Sequence, residues 1–330
     1  MATPMLECLA LAAIVCGLDP GACLDHLRSR SPACDLIPAY EDLLEENVAL
    51  ALLARDSIPW ASSVPESIFL RYVLPARVSQ EPLVAWRPEF MRYTLPIALS
   101  SPDLETAALR IGAWCDSICD YRPTQARDQS PLVTWSSGIG RCEELTVFYI
   151  DALRSAGIPC RQAYTPWWTV CDDNHAWTEV WTPRGWKFGE SAARVDSLGT
   201  PPWFAHNASR AGLIVAIAPD SVPGALAFRG GVSVLNVTEN YADFAVLRIA
   251  DDSTAVAVNV VNWGAFRTLA TLRPPVREVR LGGGVYMLSW GWPLEMAVVT
   301  LAPGDTLVFD CTVPSPLPDY CEMNKEVGDL

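Results

Sequence analysis

A chain of 330 residues is too long for one small core and fits two or three domains. Half of its residues are hydrophobic, which excludes an extended disordered chain. With 38 acidic against 24 basic side chains the formal charge is −14, a balance that repels phosphate backbones and argues against nucleic acid as a partner. Thirteen tryptophans and 27 prolines predict aromatic-lined clefts and many sharp turns. The eleven cysteines are an odd number and show no paired CxxC rhythm, and there are only three histidines, His26, His175 and His206. A His-rich metal centre is thereby excluded.

From Leu6 to about Ile97 the pattern is mostly helical. Its first apolar run, Leu9 to Leu18, has Glu7 before it and no Lys or Arg until Arg28. A secretory leader needs a positive start, and a membrane span needs about 20 apolar residues. The run is therefore read as a helix of the folded protein, with no membrane span and the cytoplasm favoured over export. Glu45 to Arg55 has the composition of a packed helix, after which Pro59, Pro65, Pro75, Pro82 and Pro88 cut the chain into short pieces. Behind Ser101-Pro102-Asp103, the residues Leu104, Ala108, Ile111, Cys115 and Ile118 repeat at helical spacing. Residues 120–137 read as a polar loop. The next helix is the best signalled: it opens at Cys142 behind Gly138 and Gly140, and Gly157 and Pro159 close it. Two strand-like runs follow, Ala176–Thr182 and Trp186–Glu190, joined by Thr182-Pro-Arg-Gly185 as a tight turn. After Pro219 short β-rich runs dominate, beginning at Val232, Tyr241, Ala255, Val285, Met296 and Thr306, and they predict a small β-sandwich. The expected organisation is a helical lead-in over 1–100, an α+β core over 101–218, the sandwich over 219–312 and a loose acidic tail over 313–330.

A cysteine that opens a helix is chemically distinctive, because the free N–H groups and positive partial charge there favour the thiolate. Cys142 has that position, with Arg141 adding positive potential and Glu143 and Glu144 opposing it. A nucleophilic cysteine needs a base within hydrogen-bond reach, and the base an orienting acid. Of the three histidines, His175 is the one flanked by strand signals, in Asp172-Asp-Asn-His175. If Thr182 pairs with Gly185 across a two-residue turn, Trp177 faces Glu190, and His175, Trp177 and Glu190 share one face of the hairpin. A three-residue turn would put Glu190 on the other face and leave Asp196 as the acid. Glu179 either shares the His175 face or points to solvent. Trp135 and Gln129 are candidate donors to an oxyanion beside the Cys142 N–H.

Four ordered strings extend this reading: Gly140-Arg-Cys-Glu-Glu, Arg154-Ser-Ala-Gly-Ile-Pro-Cys-Arg161, Asn174-His-Ala-Trp-Thr-Glu-Val-Trp181 and Gly185-Trp-Lys-Phe-Gly-Glu190. Together they resemble the core of the transglutaminase-like superfamily, densely over about residues 105–215. The resemblance implies a papain-like α+β arrangement with Cys142 as nucleophile, His175 as general base and acid, and Glu190 at the third position, where the family usually carries Asp. It extends more weakly to the lead-in at Leu43–Ile97 and to a sandwich over Asn236–Phe309. The implied activity is cysteine-dependent acyl transfer or hydrolysis at an amide bond of a peptide, protein or glycopeptide, through a thioester and without a cofactor. Two other readings keep the residues but not the chemistry. In one, the core is an inactive scaffold that binds protein or ligand. In the other, resting on the tryptophans alone, it is a carbohydrate-binding module.

Overall fold

The computed structural model describes residues 17–123, 129–189, 197–200, 202–229 and 231–311. Most of the Leu9–Leu18 run and the acidic tail beyond Cys311 lie outside the described residues. Helices come first and sheets after, an α+β arrangement. The chain divides into two compact units, the first of Met1–Tyr164, His175–Pro202 and Ala216–Leu235, the second of Thr165–Asn174, Trp203–Val215 and Asn236–Leu330.

The first unit opens with α1 (Pro20–Arg30), whose N-terminus is capped by the Asp19 carboxylate accepting from the Ala22 N–H. Next come α2 (Glu41–Ser57), α3 (Glu66–Tyr72), α4 (Arg87–Leu99) and α5 (Leu104–Asp116), the last capped by Asp103 accepting from Thr106 N–H at 2.7 Å. After β1 (Asp120–Tyr121) the structure departs from the loop expected over 120–137: Pro131–Ser137 forms a helix, α6. Ser130 caps it, Pro131 sits where its missing N–H loses nothing, and Gly138 ends it in the left-handed conformation at φ 67°. The strand β2 (Ile139–Gly140) leads into α7 (Cys142–Ser155). Every residue of α7 from Glu144 to Ser155 is buried, because α4, α5, α6 and a strand of the sheet all pack on it.

That sheet consists of β3 (Cys160–Thr165), β4 (His175–Thr182), β5 (Gly185–Gly189), β6 (Val215–Pro219), β7 (Ala227–Arg229) and β8 (Val232–Asn236), in the order β5-β4-β3-β6-β8-β7. The run beginning at Val232 therefore pairs in this sheet rather than with the later strands. In the β4–β5 hairpin Thr182 pairs with Gly185 across a two-residue turn, and the register runs on to Thr178 opposite Gly189.

The second unit holds β9 (Phe244–Ile249), β10 (Val256–Asn262), β11 (Ala265–Leu272), β12 (Glu278–Gly282), β13 (Gly284–Trp290), β14 (Glu295–Leu301) and β15 (Thr306–Phe309). They form a four-stranded sheet, β11-β10-β13-β14, and a three-stranded one, β12-β9-β15. Each buries alternate residues, Val256, Val258 and Val260 in β10 and Ala245, Leu247 and Ile249 in β9, as strands with one dry face must. The β10–β11 turn places Trp263 and Gly264 at φ 52° and 65°, the pattern of a type I′ hairpin. At its base, fully buried Asn262 donates from Nδ2 to the carbonyls of Trp168 (3.0 Å), Cys171 (2.9 Å) and Asp173 (3.3 Å), and Trp263 N–H donates to Asp172 Oδ1 at 2.6 Å. The segment 165–174 is thus held by the hairpin.

Candidate active site

Cys142 is the first residue of α7 and is half-buried. Its approach is fixed by backbone. β1 and β2 pair in parallel, Asp120 with Ile139 and Tyr121 with Gly140, and Arg122 N–H donates to the Gly140 carbonyl at 3.0 Å. A Cβ on Gly140 would lie 3.1 Å from that of Glu144, so the smallest residue lets the helix start close against the strand. Glu144, only 1 % exposed, turns back on the helix start: it accepts from Arg141 N–H at 2.7 Å and from the Arg141 guanidinium at 3.0 Å. One of the two charges that oppose a Cys142 thiolate, that of Glu144, is thereby engaged by Arg141.

The two side chains considered as oxyanion donors sit in different surroundings. Gln129 Nε2 donates to Thr134 Oγ1 (3.0 Å) and to the Ile139 carbonyl (2.8 Å), which uses both amide hydrogens to brace the turn. The Trp135 ring belongs to an aromatic cluster with Phe90, Tyr93, Trp114 and Phe148, at centroid distances of 5.0, 5.3, 5.4 and 6.1 Å.

His175 is the first residue of β4. It is 9 % exposed, its ring lies parallel to Trp177 at 5.9 Å, and burial lowers it to about 4. At neutral pH the imidazole is therefore uncharged and able to accept a proton. The strand that carries it packs directly on α7. The contact is fixed at Thr146, one turn into the helix, whose hydroxyl oxygen lies 2.7 Å from the Cys142 carbonyl oxygen and 3.2 Å from that of Ala176. One side chain thus touches the residue that begins the helix and the residue that follows His175. The other two histidines are placed elsewhere: His26 is on α1 in the field of Arg30, Arg71 and Asp220, and His206 lies in the second unit with Nε2 3.1 Å from an Arg210 guanidinium nitrogen.

The two-residue turn on which Glu190 was placed beside His175 is present, but Glu190 and Asp196 themselves lie outside the described residues. Glu179 does not point to solvent. It is 2 % exposed and accepts from Arg161 Nε at 2.6 Å, while the Arg161 guanidinium lies 4.0 Å over the Trp186 ring. The pair ties β3, β4 and β5 together and gives Glu179 a fixed partner. Thr146 escaped sequence reasoning. The available signal was its position four residues after Cys142, where a threonine hydroxyl reaches back to the carbonyl.

A family profile described as the transglutaminase-like superfamily matches residues 93–188, from α4 through β5. Several solved structures are similar to the chain, two of which follow. One is a candidate cysteine protease from Cytophaga hutchinsonii, 12 % identical with a TM-score of 0.35, the match covering 80 % of this chain and 64 % of that one. The other is a candidate protease from Parabacteroides distasonis, 12 % identical with a TM-score of 0.32, covering 65 % and 36 %. The chain spans less than two thirds of either. No curated protein matches it.

Proposed function

We propose, for a chain whose residues 93–188 match the transglutaminase-like superfamily profile, that Cys142 is a nucleophile activated by His175 and that the protein hydrolyses amide bonds in peptides or glycopeptides. The observation that carries this reading is the seating of Cys142 and His175 at the starts of two elements that touch, with the intervening contact made by Thr146.

The neutral His175 ring takes the proton of the Cys142 thiol as sulfur attacks the carbonyl carbon. Negative charge gathers on the carbonyl oxygen near the positive end of α7. The tetrahedral adduct collapses with loss of the amine, which leaves with the proton held by His175, and a thioester on Cys142 remains. Water then attacks the thioester, His175 accepting one of its protons, and breakage of the C–S bond returns that proton to sulfur and frees a carboxylic acid, which loses its own proton to solvent. An amine in place of water would give a new amide, which is transfer rather than hydrolysis. Glu190 is assigned to hold the imidazole in the orientation that accepts from sulfur, with Asp196 as the alternative.

Support for hydrolysis over cross-linking comes from the charge of −14 and the appended β-rich region, which suit capture of a peptide segment. The test is incubation with a defined mixture of peptides and glycopeptides, reading new carboxyl termini, released amines and amine adducts by mass spectrometry against Cys142→Ala. New termini or deamidated products that vanish in Cys142→Ala are expected. Amine adducts in place of hydrolysis products would shift the reading to transfer. Identical product profiles for both proteins would remove the enzymatic reading and leave the scaffold.

A further inference from the structure

We infer that Thr146 is a positioning residue that sets the distance between the Cys142 thiol and the His175 ring. This rests on the nucleophile reading above and adds a component to it. A threonine inside a helix ordinarily bonds to the carbonyl one turn back, and Thr146 does so with Cys142 at 2.7 Å. What is not ordinary is the second acceptor: the Ala176 carbonyl, 30 residues away on β4, lies 3.2 Å from the same oxygen. Thr146 is fully buried, so no water competes for its hydroxyl.

The two carbonyls belong to the residues that matter most for the geometry. One is Cys142 itself, and the other is the residue directly after His175. A single hydroxyl hydrogen shared between two carbonyl oxygens draws both toward one point, and carbonyl oxygens left facing each other without it repel. Replacing the hydroxyl by a methyl of the same size would leave two buried acceptors without their common donor, and the relief available is separation of the helix start from the strand. Proton transfer from sulfur to imidazole depends steeply on that separation. The Thr146 hydroxyl bonds to backbone carbonyls of the two elements, so its contribution is to position the sulfur and the ring they carry.

The experiment is alkylation of Cys142 by iodoacetamide between pH 5 and 9, followed by peptide mapping, in wild type, Thr146→Val, Thr146→Ser and His175→Ala. With His175 as acceptor, wild-type Cys142 reacts at pH 6 far faster than the exposed thiols of Cys34 and Cys171. Thr146→Val is expected to lose about tenfold at pH 6, a shift of about one unit in the reactivity profile, while its rate at pH 9 changes less than about twofold. Thr146→Ser keeps the hydroxyl and stays within about threefold of wild type at both pH values. If Thr146→Val reproduces the wild-type profile, the positioning role is wrong. If wild-type Cys142 has no advantage at pH 6, the nucleophile reading itself fails, and this inference with it. Should Thr146→Val not fold, Thr146→Ala against Thr146→Ser makes the same comparison, and equal profiles for those two overturn the role.

Discussion

The two ends of α7 carry the same kinds of residue in opposite circumstances. At its start Cys142 is half-buried, a part-exposed Arg141 pairs with the buried Glu144, and His175 opens the neighbouring strand. At its end everything charged is sealed in. Arg154 donates to the carbonyls of Tyr72, Arg77 and Cys160, and Arg87 donates to Asn47 Oδ1 and to the carbonyls of Val73 and Arg154, both guanidiniums being 1 % exposed. Burial pulls Arg87 down to about 9 and pushes Asp151 well up. The cysteine at this end, Cys160, is pushed up to about 12 by burial, and its sulfur donates to the Ile150 carbonyl. A thiol placed there is inert at any physiological pH, whereas the helix start offers partial exposure and a histidine on the strand packed against it. Residue type does not separate the two cysteines; solvent access and the adjoining strand do.

The contrast can be broken at several points. The largest effect is expected at the open end: Cys142→Ala or His175→Gln should lower amide turnover by at least about 10³-fold, measured as product formed per enzyme, with folding unchanged by circular dichroism. At the sealed end, Arg154→Met should cost about 3–5 kcal/mol in urea unfolding, since three carbonyls and the Asp151 neighbourhood lose their cation. Cys142 in any folded fraction of that variant should keep its reactivity.

A third effect links stability to pH through His175. Its ring is held at about 4 in the fold against 6.5 in the unfolded chain, so between those values the unfolded chain binds more protons. Stability must therefore fall as pH drops from 6.5 toward 4, by roughly 3 kcal/mol in all. Urea midpoints at pH 7.5 and 4.5 for wild type and His175→Gln should converge at the lower pH; a constant gap would contradict a buried neutral imidazole. A smaller effect belongs to the second unit. Asn262→Ala removes donors to three carbonyls and should cost about 1–3 kcal/mol, with faster hydrogen exchange over residues 165–174 and no change in the first unit's helices.

What was legible in the sequence was local. Glycines at 138 and 140 ahead of Cys142, and Gly157 with Pro159 behind Ser155, marked both ends of α7 because termini obey short-range capping rules. Thr182-Pro-Arg-Gly185 set the hairpin register for the same reason. The helix α6 differs from the loop expected there although Ser130-Pro131 and Gly138 bracket it, since seven residues make too few turns for an apolar period to announce itself. Contacts between distant residues were not legible. Arg161 claims Glu179 across 18 residues, Thr146 reaches Ala176 across 30, and Asn262 reaches the 168–173 carbonyls from about 90 residues on. Such bonds depend on which strands become neighbours, and no spacing rule within one segment encodes that.

The most direct test of the central claim is the alkylation rate of every mapped cysteine in wild type and His175→Ala from pH 5 to 9. The account predicts that Cys142 is labelled far ahead of all others below pH 7, that His175→Ala abolishes this lead, and that Cys119 and Cys160, both held at about 12 by burial, stay unlabelled in the folded protein. A Cys142 that reacts only as an ordinary thiol with a pKa of about 8.5, equally with and without His175, would contradict it.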